Sequence, residues 1–499
     1  MDAVVPIVSS TPIAADHAAL DRTVVRGFAW TAGVKWCSQV LSWVLTLIVA
    51  RLLTPSDYGL VGMAGIYLGL VTLFREFGIE TAVITLRDLS EEQLAQLHSF
   101  SLILGFLAFL LSCMVAIPLG LFFRAPKLPI VLVITSLGFI VMAYRTVPYS
   151  LLQREMRFKL LALLDGLQVL AQALVTITLA LLGFKFWALV IGGLVGTTAS
   201  SVLPFVWRPQ RYARPRWRSI ERPLTYSWHV FVSRVCWWAY ETSDLLVVGR
   251  VLGAAPLGAY SIASNLAHVP MEKFSTLVNR VTPSLFAAVQ NDSAALRRYL
   301  RNMTEAVALV TFPMTFGIAL VAPEFVHLVF GEKWIGVIIP LQLLAAYASL
   351  RCIRTLLSPL LNAVGNARFV MMNTVLSLIV FPASFYLASR WGTTGVASCW
   401  VIVYPIVSLP LFRFTFRRIS MPVSQYFNAI RPALAGSLTM TVVVLALKWA
   451  LPEGWPLHLR FSLEILSGGT AYLLTLFGLD RERLRAFFQL IRLLRSQAE

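Results

Sequence analysis

Charge is scarce in this chain of 499 residues. Asp, Glu, Lys and Arg make up 13% of it, about half the share of an ordinary soluble domain. Cysteine is sparse as well: Cys37, Cys113, Cys236, Cys352 and Cys399 all sit in apolar segments, and none forms a C-x-x-C pair. Neither a disulfide framework nor a metal site is expected. The six histidines are scattered, and no G-x-S-x-G or Walker motif occurs. No long polar stretch is present to host an active site, so ATP hydrolysis, other enzymatic chemistry and a cofactor are not expected. The first 25 residues carry Asp2, Asp16 and Asp21 and no clear cleavage site. No cleaved signal peptide is expected, and the first apolar run serves as the insertion signal.

Apolar residues are plentiful, at 58%, with a mean hydropathy of +0.75. They come in continuous runs near the roughly 20 residues that a membrane helix needs, not in the ~10-residue alternating segments of a β-barrel. The fold class is therefore an all-α polytopic membrane protein with about 14 transmembrane helices by run length. Lys and Arg fall in alternate connections, about 24 against about 8, which puts both termini in the cytoplasm and requires an even number of spans. The net charge of +18 is explained by this placement, and nucleic acid is not an expected partner. The tail DRERLRAFFQLIRLLRSQ spaces its apolar residues at helical intervals between arginines, as a helix lying on anionic inner-leaflet lipids would; an ordinary solvated tail helix also fits.

The chain repeats itself. RTVPYSLLQ (Arg145–Gln153) is echoed 209 positions on by RTLLSPLLN (Arg354–Asn362). At an offset of 199, Lys35-Trp-Cys37 matches Arg234-Val-Cys236, Ala50-Arg51 matches Gly249-Arg250, and Gly59 matches Gly258. Gly183 to Ala188 matches Gly392 to Ala397, again at 209. A longer loop around residues 283–303 would absorb the change of offset. The order and spacing of the matches indicate two parallel six-helix lobes around one central site. The divisions are a cytoplasmic segment (1–25), an N-lobe (26–206), a basic linker (207–223), a C-lobe (224–416), two extra helices (427–478) and a basic cytoplasmic tail (479–499).

An ionisable group at the bilayer centre costs at least ~2.5 kcal/mol and usually faces a cavity or a partner. The candidates include Arg75, Glu76, Glu272, Lys273 and Arg351, but the duplicated cations are the most informative: Lys35 with Arg234, and Arg145 with Arg354. Four cations approaching one cavity from both lobes suit a polyanion, because guanidinium grips phosphate bidentately. Arg145 and Arg354 lie about two turns from a cytoplasmic loop, so snorkelling is the competing reading. Arg75-Glu76 and Glu272-Lys273 read as structural ion pairs. Glu241 and Asp244 share one helical face. With Asp165 they are candidates for coupling to H⁺ or Na⁺, or for neutralising nearby cations. Trp36, Trp237 and Tyr240 lie on the helices that bear the cations and are candidate glycan contacts. Interfacial anchoring is the commoner role of such residues.

The segments VARLLTPSDYGLVGMA (49–64), LLQREMRFK (151–159), DLLVVGRVLGAAPLGAYSIASNLAHVP (244–270) and GEKWIGVIIPLQLLAAYASLR (331–351) resemble the polysaccharide transporter branch of the oligosaccharide flippases. That branch belongs to the multidrug/oligosaccharidyl-lipid/polysaccharide exporter superfamily. The resemblance runs from about residue 25 to residue 415. It implies two lobes plus two C-terminal helices, a cationic cavity and a rocker-switch cycle. It further implies translocation of undecaprenyl-diphosphate-linked oligosaccharide across the bacterial inner membrane for exopolysaccharide, capsule or O-antigen assembly, beside polymerase and export machinery. The alternative within the superfamily is a cation-coupled drug or metabolite exporter, which calls for an acidic cavity where the duplicated positions here are basic. The four cation assignments come from the duplication and not from a family motif.

Overall fold

The computed structural model describes residues 41–479 except 43, 77, 78, 87, 208, 217–234, 236 and 453. Among the described residues every regular element is helical. The long helices are α1 (44–52), α2 (Pro55–Glu76), α3 (Glu91–Phe122), α4 (Leu128–Arg154), α5 (Phe158–Leu181), α6 (Phe186–Trp207) and α7 (237–247). They continue with α8 (Ala254–Ala288), α9 (Ser293–Phe325), α10 (Ile338–Arg354), α11 (Ala367–Ala388), α12 (Gly392–Arg418), α13 (Val423–Ala450) and α14 (Leu457–Leu479). Nine helical stretches among the described residues are long and apolar enough to cross a membrane, and one of them, Ala367–Arg418, contains both α11 and α12. Of the remainder, α6 has a shorter apolar stretch, while α1, α7 and α8 run into residues or side chains outside the described set. The expected count of about 14 spans is thus an expectation that the described residues accommodate.

Local chemistry fixes the helix starts. Ser90 closes a capping box with Gln93 at the head of α3, satisfying two backbone donors that a helix end leaves free. Asp292 accepts from the backbone N–H groups of Ala294 and Ala295 at the head of α9. Those donors, Ala295 first, hold its carboxyl below the usual carboxylate range. The expected long loop near 283–303 is not there. Only residues 289–292 separate α8 from α9. The caps Ser90 and Asp292 are 202 apart and the starts of α4 and α10 are 210 apart, so most of the extra length lies after α9, where Val326–Phe330 and Glu332–Val337 form a π-helical and a 3-10 turn. In lipid a helix satisfies its own backbone and a loop does not, so the added residues are wound into helical turns.

The duplication is visible in the packing. α2 packs on α4, α3 on α4, α4 on α6, and α5 on α6. Six helices later, α8 packs on α10, α9 on α10, α10 on α12, and α11 on α12. The matched glycines Gly183 and Gly392 both adopt positive φ, at 81° and 69°, where an L-residue is strained. α13 and α14 pack on each other and on α9.

The two sets meet along α2 and α8. A Cβ on Gly59 would stand 1.6 Å from the carbonyl oxygen of Ala254, and one on Gly258 would stand 1.9 Å from that of Pro55. Residues 55 and 254 are themselves 199 apart, so the two contacts are two-fold equivalents. Only glycine permits this approach. Successive helices alternate direction, and the bundle has a charge-poor end, carrying Arg51, Arg124, Lys127, Lys185, Arg250, Lys333 and Arg390, and an arginine-rich end opposite. The α2–α8 crossing begins at the charge-poor end.

Candidate functional site

Arg145 sits on α4 and reaches two neighbouring helices of its own lobe. Its Nη1 donates to Gln168 Oε1 on α5 (3.0 Å) and to Ser200 Oγ on α6 (2.8 Å). Its Nη2 pairs with Asp165 Oδ1 on α5 at 3.2 Å. Tyr149, one turn on, stacks under the guanidinium at 4.1 Å and donates to the same carboxylate. Asp165, a candidate for ion coupling from the sequence, is therefore the counter-ion of Arg145.

Arg354 repeats this arrangement on the corresponding helices. Its Nη1 donates to Tyr404 OH on α12 (3.2 Å), whose ring lies 5.1 Å from the guanidinium carbon. Oriented to satisfy both ends, the amide of Asn373 on α11 accepts from Arg354 Nη2 at 2.9 Å and donates to Val407 O. Thus each lobe's fourth helix sends an arginine to an amide on the fifth and a hydroxyl on the sixth. The electrostatics differ. No carboxylate lies within ion-pair distance of Arg354 among the described residues, and its Nε is buried without a hydrogen-bond partner.

Glu241 and Asp244 part company despite their shared face. Glu241 pairs with Arg351 Nη1 at 2.7 Å, and Arg351 also donates to Tyr347 OH at 3.1 Å. Arg351 had no assigned role in the sequence, since its partner lies 110 residues away. Asp244 is 3% exposed and accepts from Tyr260 OH, Trp400 Nε1 and its neighbour's N–H at 2.9, 2.9 and 2.7 Å. The two side-chain donors come from α8 and α12, so Asp244 on α7 ties three C-lobe helices together.

Tyr240 is 7% exposed and packs edge-on against Phe381 and Trp400. That position in the C-lobe aromatic core leaves Tyr240 little exposed surface. Trp237 is 58% exposed. Lys35, Trp36 and Arg234 lie outside the described residues, as do the side chains of Arg75, Glu76, Glu272 and Lys273 and the basic tail.

The lobes are locked at the charge-poor end. Arg51 donates through Nε to Val329 O at 2.7 Å and through Nη2 to Leu328 O. Lys333 Nζ donates to Arg51 O (2.6 Å) and Trp334 Nε1 to Ala50 O (2.8 Å). From the other lobe Arg250, the repeat of Arg51, lies over the Phe122 ring at 5.1 Å. A lateral cavity of about 730 Å³ opens toward the other end, between α10, α12 and α13.

The profile of the polysaccharide biosynthesis protein family matches residues 48–339, more than half of the chain. The chain belongs to that family. Lipopolysaccharide biosynthesis protein WzxC of Escherichia coli (strain K12) is 25% identical over 440 residues, covering 87% of this chain and 86% of that protein. Succinoglycan biosynthesis transport protein ExoT of Rhizobium meliloti (strain 1021) is 25% identical over 487 residues, covering 96% and 97%. Among solved structures, lipid II flippase MurJ in an inward closed conformation superposes with a TM-score of 0.72 at 15% identity, covering 91% of this chain and 99% of that one. The likeness to MurJ shows a shared fold, and the apolar helices make the chain an all-helical multi-pass membrane protein.

Proposed function

We propose that the protein flips undecaprenyl-diphosphate-linked oligosaccharide across the bacterial inner membrane, for exopolysaccharide, capsule or O-antigen assembly. The observation that carries the reading is the buried arginine repeated at the fourth helix of both lobes, in a fold shared with a lipid II flippase. The family and the names of WzxC and ExoT support the same class of cargo. Arg354 is the cation best placed to hold diphosphate, because amide and phenol partners leave its charge uncompensated. Arg145 shares its charge with Asp165 and contributes less. Lys35 and Arg234 are proposed as further cavity cations on the strength of the duplication.

In this reading the arginine-rich end faces the cytoplasm, and both termini lie there. The Arg51, Lys333 and Trp334 contacts then close the periplasmic side, and the molecule is poised to load from within. Binding of the anion draws the lobes together at the inner end. That offsets the loss of the outer contacts, and the sugar is delivered outside while the lipid tail stays in the bilayer. Glu241 with Arg351 is the carboxylate best placed to couple this motion to an ion, since Asp244 is saturated by three donors.

The deciding experiment measures lipid-linked sugar pools and secreted polymer in a host lacking only this gene. Undecaprenyl-diphosphate oligosaccharide should accumulate on the cytoplasmic side while polymer disappears. Unchanged pools and polymer in a host without a second such protein would overturn the substrate assignment.

A further inference from the structure

The cavity between α12 and α13 meets the Arg354 site only at Tyr404, which lines its deep end. Its walls come from α10, α12, α13 and the turn joining the last two, and no described N-lobe residue lines it. It exists because α13 packs on α9. Residues 419–422 join α12 to α13, yet the helices splay apart as they leave the turn. The wedge is lined along one stripe of α12, from Tyr404 at its deep end to Arg417 at its mouth. Those 14 residues span ~20 Å of helix. Phe427 and Leu350 typify its largely apolar walls.

Two features give the wedge a polarity. Arg413 and Arg417, one turn apart, line its mouth, both are exposed, and no carboxylate is among the described residues that line it. Deeper in, Ser408 is 2% exposed, and its Oγ has no hydrogen-bond partner. Other helical serines here, such as Ser377 and Ser384, return their hydroxyls to the carbonyl four residues back. Ser408 therefore offers a buried, unspent donor, ~7 Å of helix rise below Arg413.

We propose that this wedge holds one anionic diacyl phospholipid of the leaflet at the arginine-rich end. The phosphate sits on Arg413 and Arg417, a glycerol-ester carbonyl accepts from Ser408, and an acyl chain fills the wedge toward Tyr404. Charge complementarity selects the occupant: paired unneutralised arginines at membrane-surface depth favour an anionic head over a zwitterionic one. The lipid would brace α13 and α14 against the C-lobe. The inference requires only that the arginine-rich end face an anionic leaflet, and it is independent of what the central site carries.

The test is native mass spectrometry of the purified full chain after equilibration with equal amounts of phosphatidylglycerol and phosphatidylcholine. One phosphatidylglycerol should be retained preferentially. Arg413→Gln with Arg417→Gln should lower that preference roughly thirtyfold, the equivalent of about 1 kcal/mol for each arginine. Leu409→Trp, which fills the wedge from an exposed position, should expel the lipid with both arginines intact. Thermal unfolding in phosphatidylcholine alone should match wild type for both variants, which separates loss of the lipid from loss of the fold. If the arginine pair proves necessary for folding, Leu409→Trp carries the test. Equal retention of the two lipids by wild type overturns the proposal, as does undiminished preference in both variants. Displacement of phosphatidylglycerol by equimolar undecaprenyl phosphate also overturns it, assigning the wedge to the carrier lipid.

Discussion

A guanidinium buried beside a carboxylate offers little net charge to a third group, whereas one buried among amides and phenols keeps its field. Arg145 is of the first kind and Arg354 of the second, although the two echo each other in sequence. Arg354→Gln is therefore expected to lower polymer output at least tenfold, and Arg145→Gln by less, when both are expressed at wild-type level in the deletion host. Equal losses would contradict the asymmetry. The Glu241–Arg351 pair makes a different prediction. Both side chains are largely buried, at 17% and 15% exposed, and stranding one member of such a pair costs about 3 kcal/mol. Glu241→Gln should lower thermal stability in detergent clearly, and Glu241→Gln with Arg351→Gln should recover most of the loss. Asp165 is 38% exposed, so Asp165→Asn should cost at most about 1 kcal/mol. The existence of duplicated arginines was legible in the sequence. Their unequal neutralisation was not, because Asp165, Asn373, Tyr404 and Glu241 come from other helices and no local pattern names them.

Among the helices, the most constrained contact is the crossing of α2 and α8, where each glycine faces the other helix's first carbonyl. Gly59→Val places carbon where the Ala254 backbone already stands, so the crossing must open. In a cysteine-depleted background, Ala50→Cys should be shielded from an impermeant maleimide, since Ala50 is fully buried, and should become reactive when Gly59→Val is added. Continued protection would show that the helices find another fit. This crossing was partly legible, since backbone contact demands glycine and leaves a trace at matched positions in both repeats. The helical turns added after α9 were not, because apolar composition alone does not distinguish extra helical turns from a loop. Outside the bundle, the Asp292 cap gives a pH effect with a definite sign. Its folded carboxyl is held low by backbone donors, Ala295 first, so its stabilisation is present above the unfolded pKa and is lost as pH falls through the folded value. Asp292→Asn, which can cap without titrating, should flatten the acid limb of stability relative to wild type.

At the scale of the whole molecule, the lobes are joined by a short set of polar contacts at one end, and this sets how readily they can rock. Arg51 spans to two carbonyls, Lys333 returns to the Arg51 carbonyl, and Trp334 reaches Ala50. The repeat-related Arg250 makes a ring contact instead, so the lock is carried mainly by one of the two equivalent corners. At about 1 kcal/mol net for an ordinary hydrogen bond and somewhat more for a charged one, the polar part of the lock is a few kcal/mol. Binding of a multiply charged lipid diphosphate can offset that amount if it favours the opposite state by a similar margin. Trp334→Phe tests the estimate, since it keeps an aromatic ring in the fully buried site and removes the donor to Ala50 together with part of the indole volume, so its effect is at least that of the lost hydrogen bond. A loss of about 1 kcal/mol corresponds to roughly a fivefold shift toward the state open at the charge-poor end. It should appear as a similar rise in the maleimide labelling rate of Ala50→Cys, with Arg51→Ala giving a larger rise and Arg250→Ala a smaller one. Equal effects of the two arginine variants would mean that the corners share the load and that the asymmetry of the lock has no energetic consequence.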